Sequence, residues 1–268
     1  MTRLIAMVYS ERMPVLIAGI DGPSAHLAEQ VTTKVLIPMA NPAAADRSIQ
    51  TAGVPWMFSC VPGDHLQALV LSHSIAATGK PFALLTAADH DSRSFAGHLS
   101  TAFAESGISP KFRVEFESGT GNVADLGRRV LDLGVHSLVL VAGPRDTAAV
   151  LKLVRGGGFT GPIDAGPAVR RAATLTATDG AAEGVFFPLL VEDVAETASF
   201  RVAFRTRFGR EPDWAAEHAW DTANIVVAAI RKAGINRARI RDAIQGCRRG
   251  TAQRGPFIGT SADRMTGT

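Results

Sequence analysis

Long apolar runs, dense basic stretches, cysteine pairs and aromatic clusters are all scarce in this chain of 268 residues. No segment approaches the roughly 18–20 apolar residues needed to cross a bilayer, so membrane insertion is not expected. The net charge is only +3 and is spread thinly, with Arg170-Arg171 and Arg248-Arg249 the clusters that stand out. A nucleic-acid surface needs a denser basic stripe, so nucleic acid is not an expected partner. One Tyr and three Trp leave little surface for stacking on bases or sugars. Cys60 and Cys247 lie far apart and fit no metal-ligand spacing, so they read as two separate thiols. The seven histidines form no HxxxH pair and no His/Cys cluster, so no metal is expected. There is no GxSxG nucleophile turn and no GxxxxGK[ST] phosphate loop. Gly156-Gly157-Gly158 follows a helix where a phosphate loop would precede one. These absences argue against an enzyme and against a bound cofactor. Met1–Met7 carries one Arg but too short an apolar segment for a secretory signal.

What is present is an ordinary α/β composition, 46% hydrophobic and 20% charged. Short buried-type strands alternate with helices: Phe82–Thr86, then the helix Phe95–Ser106, then Phe112–Phe116, the helix Ala124–Leu133, Ser137–Val141 and the helix Thr147–Arg155. Such alternation means βαβ units stacked around a parallel sheet. Upstream, Arg3–Arg12 reads as a helix and Val15–Ala18 as a strand, followed by turn chemistry at Gly19–Ser24 and a helix Ala25–Lys34. Leu36–Met39 is the next strand, Asn41–Asp46 a loop, Ala52–Ser59 a strand and His65–Ala77 a helix. After Pro188 the pattern changes to successive helices, Val194–Phe208, Trp214–Ala233 and Asn236–Gln245. A short strand, Gly255–Gly259, closes the chain. In parallel α/β sheets ligands bind outside the carboxyl ends of the strands. The loops Gly19–Ser24 and Asn41–Asp46, at the ends of neighbouring strands, are therefore the first place to look for function.

Several pieces, taken in order, resemble the type I periplasmic binding proteins of the leucine/isoleucine/valine-binding kind, the substrate-binding components of ABC transporters. They are Ile37–Pro42, Val54–Gln67, Ala181–Phe187, Phe204–Pro212, Ala219-Trp220-Asp221, Lys232-Ala233-Gly234 and Gly255-Pro256-Phe257. The resemblance implies two Rossmann-like lobes of parallel sheet flanked by helices, joined by three crossovers, with a ligand cleft between them. Lobe I would comprise residues 1–80 and the helices and hinge strand of 191–268; lobe II would be 81–190. It also implies an N-terminal strand–helix–strand of roughly 60 residues that this sequence does not show. The implied function is capture of a small polar, amino-acid-like or amide-like solute for an ABC permease, with no cofactor. A cytoplasmic sensor of the same fold, reporting an amino acid or amide to a regulatory partner, is the alternative. The family is periplasmic or extracytoplasmic, while the missing signal leaves a cytoplasmic location open.

The resemblance also points to site residues. Gly22-Pro23-Ser24 falls where the family opens a helix on the ligand; helix N–H groups and a hydroxyl make a carboxylate site, unless Ser24 only caps the helix. Asp21 beside it would repel a carboxylate and prefer an ammonium or amide N–H. Ala43-Ala44-Ala45-Asp46 falls on the loop that presents backbone groups to the ligand, with Ala45 where a hydroxyl is expected. His90-Asp91 follows the first strand of lobe II, near where a Tyr contacts ligand in the family. Pro144-Arg145 ends the strand Ser137–Val141, and Arg145 can clamp a carboxylate with two hydrogen bonds. The family's acidic anchor for an amino group falls near Gly166-Pro167, which carry no carboxylate; Asp164 is the nearest one.

Overall fold

The computed structural model describes residues 2–119, 123–188, 198–246 and 258–259. The chain divides into two compact units, Met1–Gly63 with Val191–Thr268, and Asp64–Leu190.

The first unit opens with α1 (Thr2–Ser10), β1 (Leu16–Ile17), α2 (Gly22–Lys34), β2 (Met39–Asn41), α3 (Arg47–Thr51) and β3 (Met57–Ser59). β1, β2 and β3 are parallel neighbours, with Met39 in register with Leu16 and Met57, and Ala40 with Ile17 and Phe58. The period of two divides these residues between the faces of the sheet. Met39 and Met57 pack with Ala25 and Ala28 of α2 and Ile49 of α3. Ala40 and Phe58 face the other way, which is why β2 has no exposed residue.

β2 begins later than the apolar run Leu36–Met39 predicts, because Leu36 and Ile37 close α2 instead. Leu36 takes a left-handed backbone, φ 52°. Its N–H donates to Thr33 O at 3.3 Å and that of Ile37 to Thr32 O at 3.0 Å, the two bonds of a Schellman motif. Ile37 then packs on Val31 one turn back, the apolar contact that accompanies this motif.

The second unit runs α4 (Asp64–Thr78), β4 (Phe82–Ala87), α5 (His90–Glu105), β5 (Phe112–Phe116), α6 (Val123–Asp132), β6 (Ser137–Val141), α7 (Pro144–Gly156), β7 (Ile163–Ala165), a 3-10 turn Pro167–Arg170, α8 (Ala172–Thr178) and β8 (Val185–Phe186). Its sheet has the order β5-β4-β6-β7-β8 and every pairing is parallel. Ala83, Leu85, Leu138, Leu140, Ile163 and Ala165 meet Leu126 and Val130 of α6 and Val150, Leu151 and Val154 of α7. Phe82, Leu84, Val139 and Val141 meet Ala68, Leu71 and Ile75 of α4 and Phe95, Leu99 and Phe103 of α5. This shared cluster places α4 in the second unit, so the division falls at Gly63 rather than at Lys80.

The chain then supplies α9 (Ala198–Phe208), α10 (Trp214–Ala233), α11 (Arg237–Gln245) and β9 (Ile258–Gly259) to the first unit. Ile225, Val226 and Ala229 of α10 and Ile240 and Ile244 of α11 cover Ala40 and Phe58. β9 pairs antiparallel with β3. Arg237 donates to Met13 O and Val35 O, both at 3.1 Å, tying α11 to loops over 200 residues earlier. The expected helix from Val194 is described only from Ala198, and of Gly255–Gly259 only Ile258–Gly259 is described.

Candidate functional site

In the first unit the loops after β1 and β2 are held by their own side chains. Asp21 caps α2, accepting the N–H of Ser24 at 2.8 Å. The Ser24 hydroxyl accepts from Ile20 N at 3.2 Å and Asp21 N at 3.3 Å and donates to Asp21 O at 3.1 Å. Ser24 and Asp21 thus form a reciprocal capping box, and the Ser24 hydroxyl is engaged within it. Gly22 is buried at the first position of the helix, followed by Pro23, which has no N–H to offer.

The second loop depends on a residue that the sequence reading passed over. Asn41, fully buried at the end of β2, accepts from Ala43 N at 3.1 Å and Ala44 N at 2.9 Å. Its amide group donates to Ala44 O at 2.7 Å. Three backbone groups of Ala43 and Ala44 are therefore turned inward onto one side chain. Gly19 closes on the same place: its carbonyl accepts from Ala44 N, and a Cβ at Gly19 would sit 2.9 Å from that of Ala25 and 3.1 Å from Asn41 Oδ1. With φ at +97° as well, that position takes glycine.

Ala45 is half-buried, and Asp46 caps α3 by accepting Ser48 N at 2.9 Å. His26, which also escaped the sequence reading, lies alongside. Its Nε2 is 2.8 Å from Ser48 Oγ and 3.7 Å from Asp46 Oδ2, and its Nδ1 is 3.3 Å from Glu29 Oε2. The ring thus lies between two carboxylates, those of Glu29 and Asp46. The sequence signal for this cluster was weak, because His26 and Asp46 lie 20 residues apart on different elements.

In the second unit α5 starts a turn and a half earlier than its apolar spacing predicts. Asp89 at the end of β4 caps it, accepting Ser92 N at 3.0 Å and Ser92 Oγ at 2.7 Å. His90 and Asp91 accordingly lie in the first turn of a helix, His90 exposed and Asp91 half-buried. α7 begins at Pro144, and Arg145 is exposed in its first turn. Asp146 next to it is buried and turned away, accepting from the Ser118 hydroxyl and from Gly119 N at 3.1 Å.

The loop after β7 is locked to the start of α7 by Thr174, which is fully buried. Its hydroxyl lies 3.3 Å from Pro144 O and 2.7 Å from Ala168 O. Asp164 lies within β7, in register between Val139 and Phe186, and so is not part of the Gly166-Pro167 loop. The neighbouring Val139 packs under α4 and α5, so Asp164 shares that apolar side, where burial raises its pKa from 3.8 to about 6. Gly156, Gly158 and Gly161 have dinucleotide-loop spacing, but they lead from α7 into β7, the reverse of a strand-to-helix phosphate loop. Among the described residues no helix is long and apolar enough to cross a membrane. Cys60 is in no disulfide among the described residues, and Cys247 lies outside them.

Each of the two α/β units carries loops pinned at the carboxyl ends of parallel strands, the place where ligands bind in open α/β sheets. Residues 2–267 match the family model described as periplasmic binding protein, and the chain belongs to that family. Its members are substrate-binding proteins, not enzymes, and are typically periplasmic. The fold is that of the type I class. The chain is similar to the leucine-binding protein LivK of Thermotoga maritima, with TM-score 0.83 and 19% identity over 92% of this chain and 72% of that one. It is also similar to LivJ of Streptococcus pneumoniae, solved in complex with isoleucine, with TM-score 0.85 and 18% identity over 97% and 76% of the two chains. A solute-binding protein of Rhodopseudomonas palustris, solved with benzoate, gives TM-score 0.80 and 15% identity over 97% and 72%. No curated protein sequence matches the chain.

Proposed function

We propose that this protein is the solute-capturing component of an ABC transporter, taking up a small polar, amino-acid-like or amide-like compound outside the cytoplasm and delivering it to a permease. The observation that carries this reading is the family match over residues 2–267. It is supported by loops built to hold their shape without ligand, through Asn41 in one unit and Thr174 in the other. Pre-formed loops reduce the ordering cost of binding. We place the solute against 21–24 and 43–46 in the first unit and 90–91 and 144–145 in the second: Asp21, Gly22, Ser24, Ala43 to Asp46, His90, Asp91, Pro144 and Arg145.

The test is a thermal-shift screen of the purified chain against amino acids, their amides, urea and small carboxylates. A ligand at 100 times its dissociation constant stabilises by about 2.7 kcal/mol. That moves the melting midpoint by several degrees for a unit of this size. A shift confined to one chemical class identifies the solute; catalytic turnover of any member of the screen sinks the reading.

A further inference from the structure

β5 is an edge strand: in the sheet order β5-β4-β6-β7-β8 it pairs with β4 alone among the described residues. An open edge carries backbone N–H and C=O groups ready to pair with another chain, and the charged side chains along it decide which chain is accepted. From Lys111 to Glu117 the sequence is Lys-Phe-Arg-Val-Glu-Phe-Glu. The basic residues, Lys111 and Arg113, precede Val114 and the acidic ones, Glu115 and Glu117, follow it; all four are exposed. Phe112 and Phe116 flank the same centre and pack half-buried beside Val114 on the opposite face of the strand. The two inner charges are only partly engaged within the unit. Arg113 donates to Ser100 Oγ at 2.9 Å and makes no ion pair among the described residues. Glu115 meets Arg93 through Oε1 alone.

We infer that β5 is a self-pairing edge, whose partner is β5 of a second copy of this chain, antiparallel, with Val114 on the two-fold axis. Pairing about that centre sets Arg113 opposite Glu115, Lys111 opposite Glu117, Phe112 opposite Phe116 and Val114 opposite itself. Every unlike pair then occurs twice, as an isologous interface requires. Opposite charges and aromatic pairs directly across two strands stabilise them, and like charges there destabilise them. Other arrangements are penalised. Parallel pairing in register sets each charge against its own kind. A two-residue slip of the antiparallel pair sets Arg113 against Arg113 or Glu115 against Glu115. A one-residue slip puts the phenylalanine face of one strand against the charged face of the other. In the favoured register the two five-stranded sheets run on as one. A single strand pair is a small interface, so the dimer is weak and reversible.

The experiment is sedimentation velocity of the purified chain over about 1–200 μM, where a small interface assembles. Wild type should show a reversible monomer–dimer equilibrium. Arg113→Glu and Glu115→Arg should each weaken the dimer about tenfold or more, because each sets like charges across the axis twice. An equimolar mixture of these two variants should dimerise again, since every charge once more meets its opposite. The double variant carrying both substitutions should also dimerise. Lys111→Glu, which leaves the contacts with Ser100 and Arg93 intact, should weaken the dimer several-fold and serves as the probe if either inner substitution unfolds the unit in a thermal melt. A wild type that stays monomeric throughout overturns the inference. Single variants that dimerise as well as wild type overturn it too, because the interface then lies elsewhere. A mixture of folded single variants that stays monomeric refutes the antiparallel register.

Discussion

Replacing Asp164 by Asn should stabilise the protein at neutral and alkaline pH and make no such difference in acid. Asp164 is 7% exposed in β7, and burial lifts its pKa from 3.8 to about 6. The native state therefore holds this proton more tightly than the unfolded chain does. A raised carboxyl pKa means stability is greatest below 3.8, falls as pH rises through about 6, and levels off above it. A shift near two pKa units corresponds to at most about 3 kcal/mol, and residual solvent contact reduces this to about 1–2 kcal/mol. Asn has the shape of the protonated acid at every pH, so general acid effects cancel when variant and wild type are compared. Thermal melts followed by circular dichroism at pH 4, 6 and 8 should show the variant gaining a few degrees between pH 4 and 8. Any cost of burying the amide is independent of pH and shifts all three differences equally. A difference that stays flat from pH 4 to 8 would refute the reasoning.

Two further substitutions test how the loops and helix ends are held. Leu36→Gly should raise stability by about 0.5–1 kcal/mol in urea titrations, because Leu36 is exposed with φ 52° at a position glycine occupies without strain. Loss of stability there would mean that Leu36 makes contacts outweighing its backbone strain. Asn41→Asp should cost about 2–3 kcal/mol by the same measurement, since the new side chain cannot donate to Ala44 O and brings an unpaired charge into a buried site. A neutral result would show that Asn41 does not hold the 43–44 loop.

The strands of the second unit were legible because they are short apolar runs bounded by glycine, proline or charged residues. Phe82–Ala87 and Ser137–Val141 are buried throughout and contain little else. Boundaries failed where a single side chain or backbone angle overrides the pattern. Asp89 starts α5 before any apolar spacing begins, and the left-handed turn at Leu36 converts two strand-like residues into a helix cap. β7 and β8 are too short, three and two residues, to carry a periodic signal. In the candidate site, Ser24 was visible both as a capping residue and as a hydroxyl, and only the distances show it in the cap. Asn41 was hidden because its partners are backbone atoms, which leave no mark in side-chain chemistry.

The arrangement around Asn41 has a consequence for ageing. Asparagine converts to aspartate when the nitrogen of the following residue attacks the side-chain amide, which requires an N–H to lose. Here the following residue is Pro42, whose ring nitrogen carries no proton. The one side chain that gathers Ala43 and Ala44 into shape is thereby shielded from the commonest spontaneous damage to its own kind. The loop's shape is therefore secured not only against thermal loosening but against this slow chemical route to losing it.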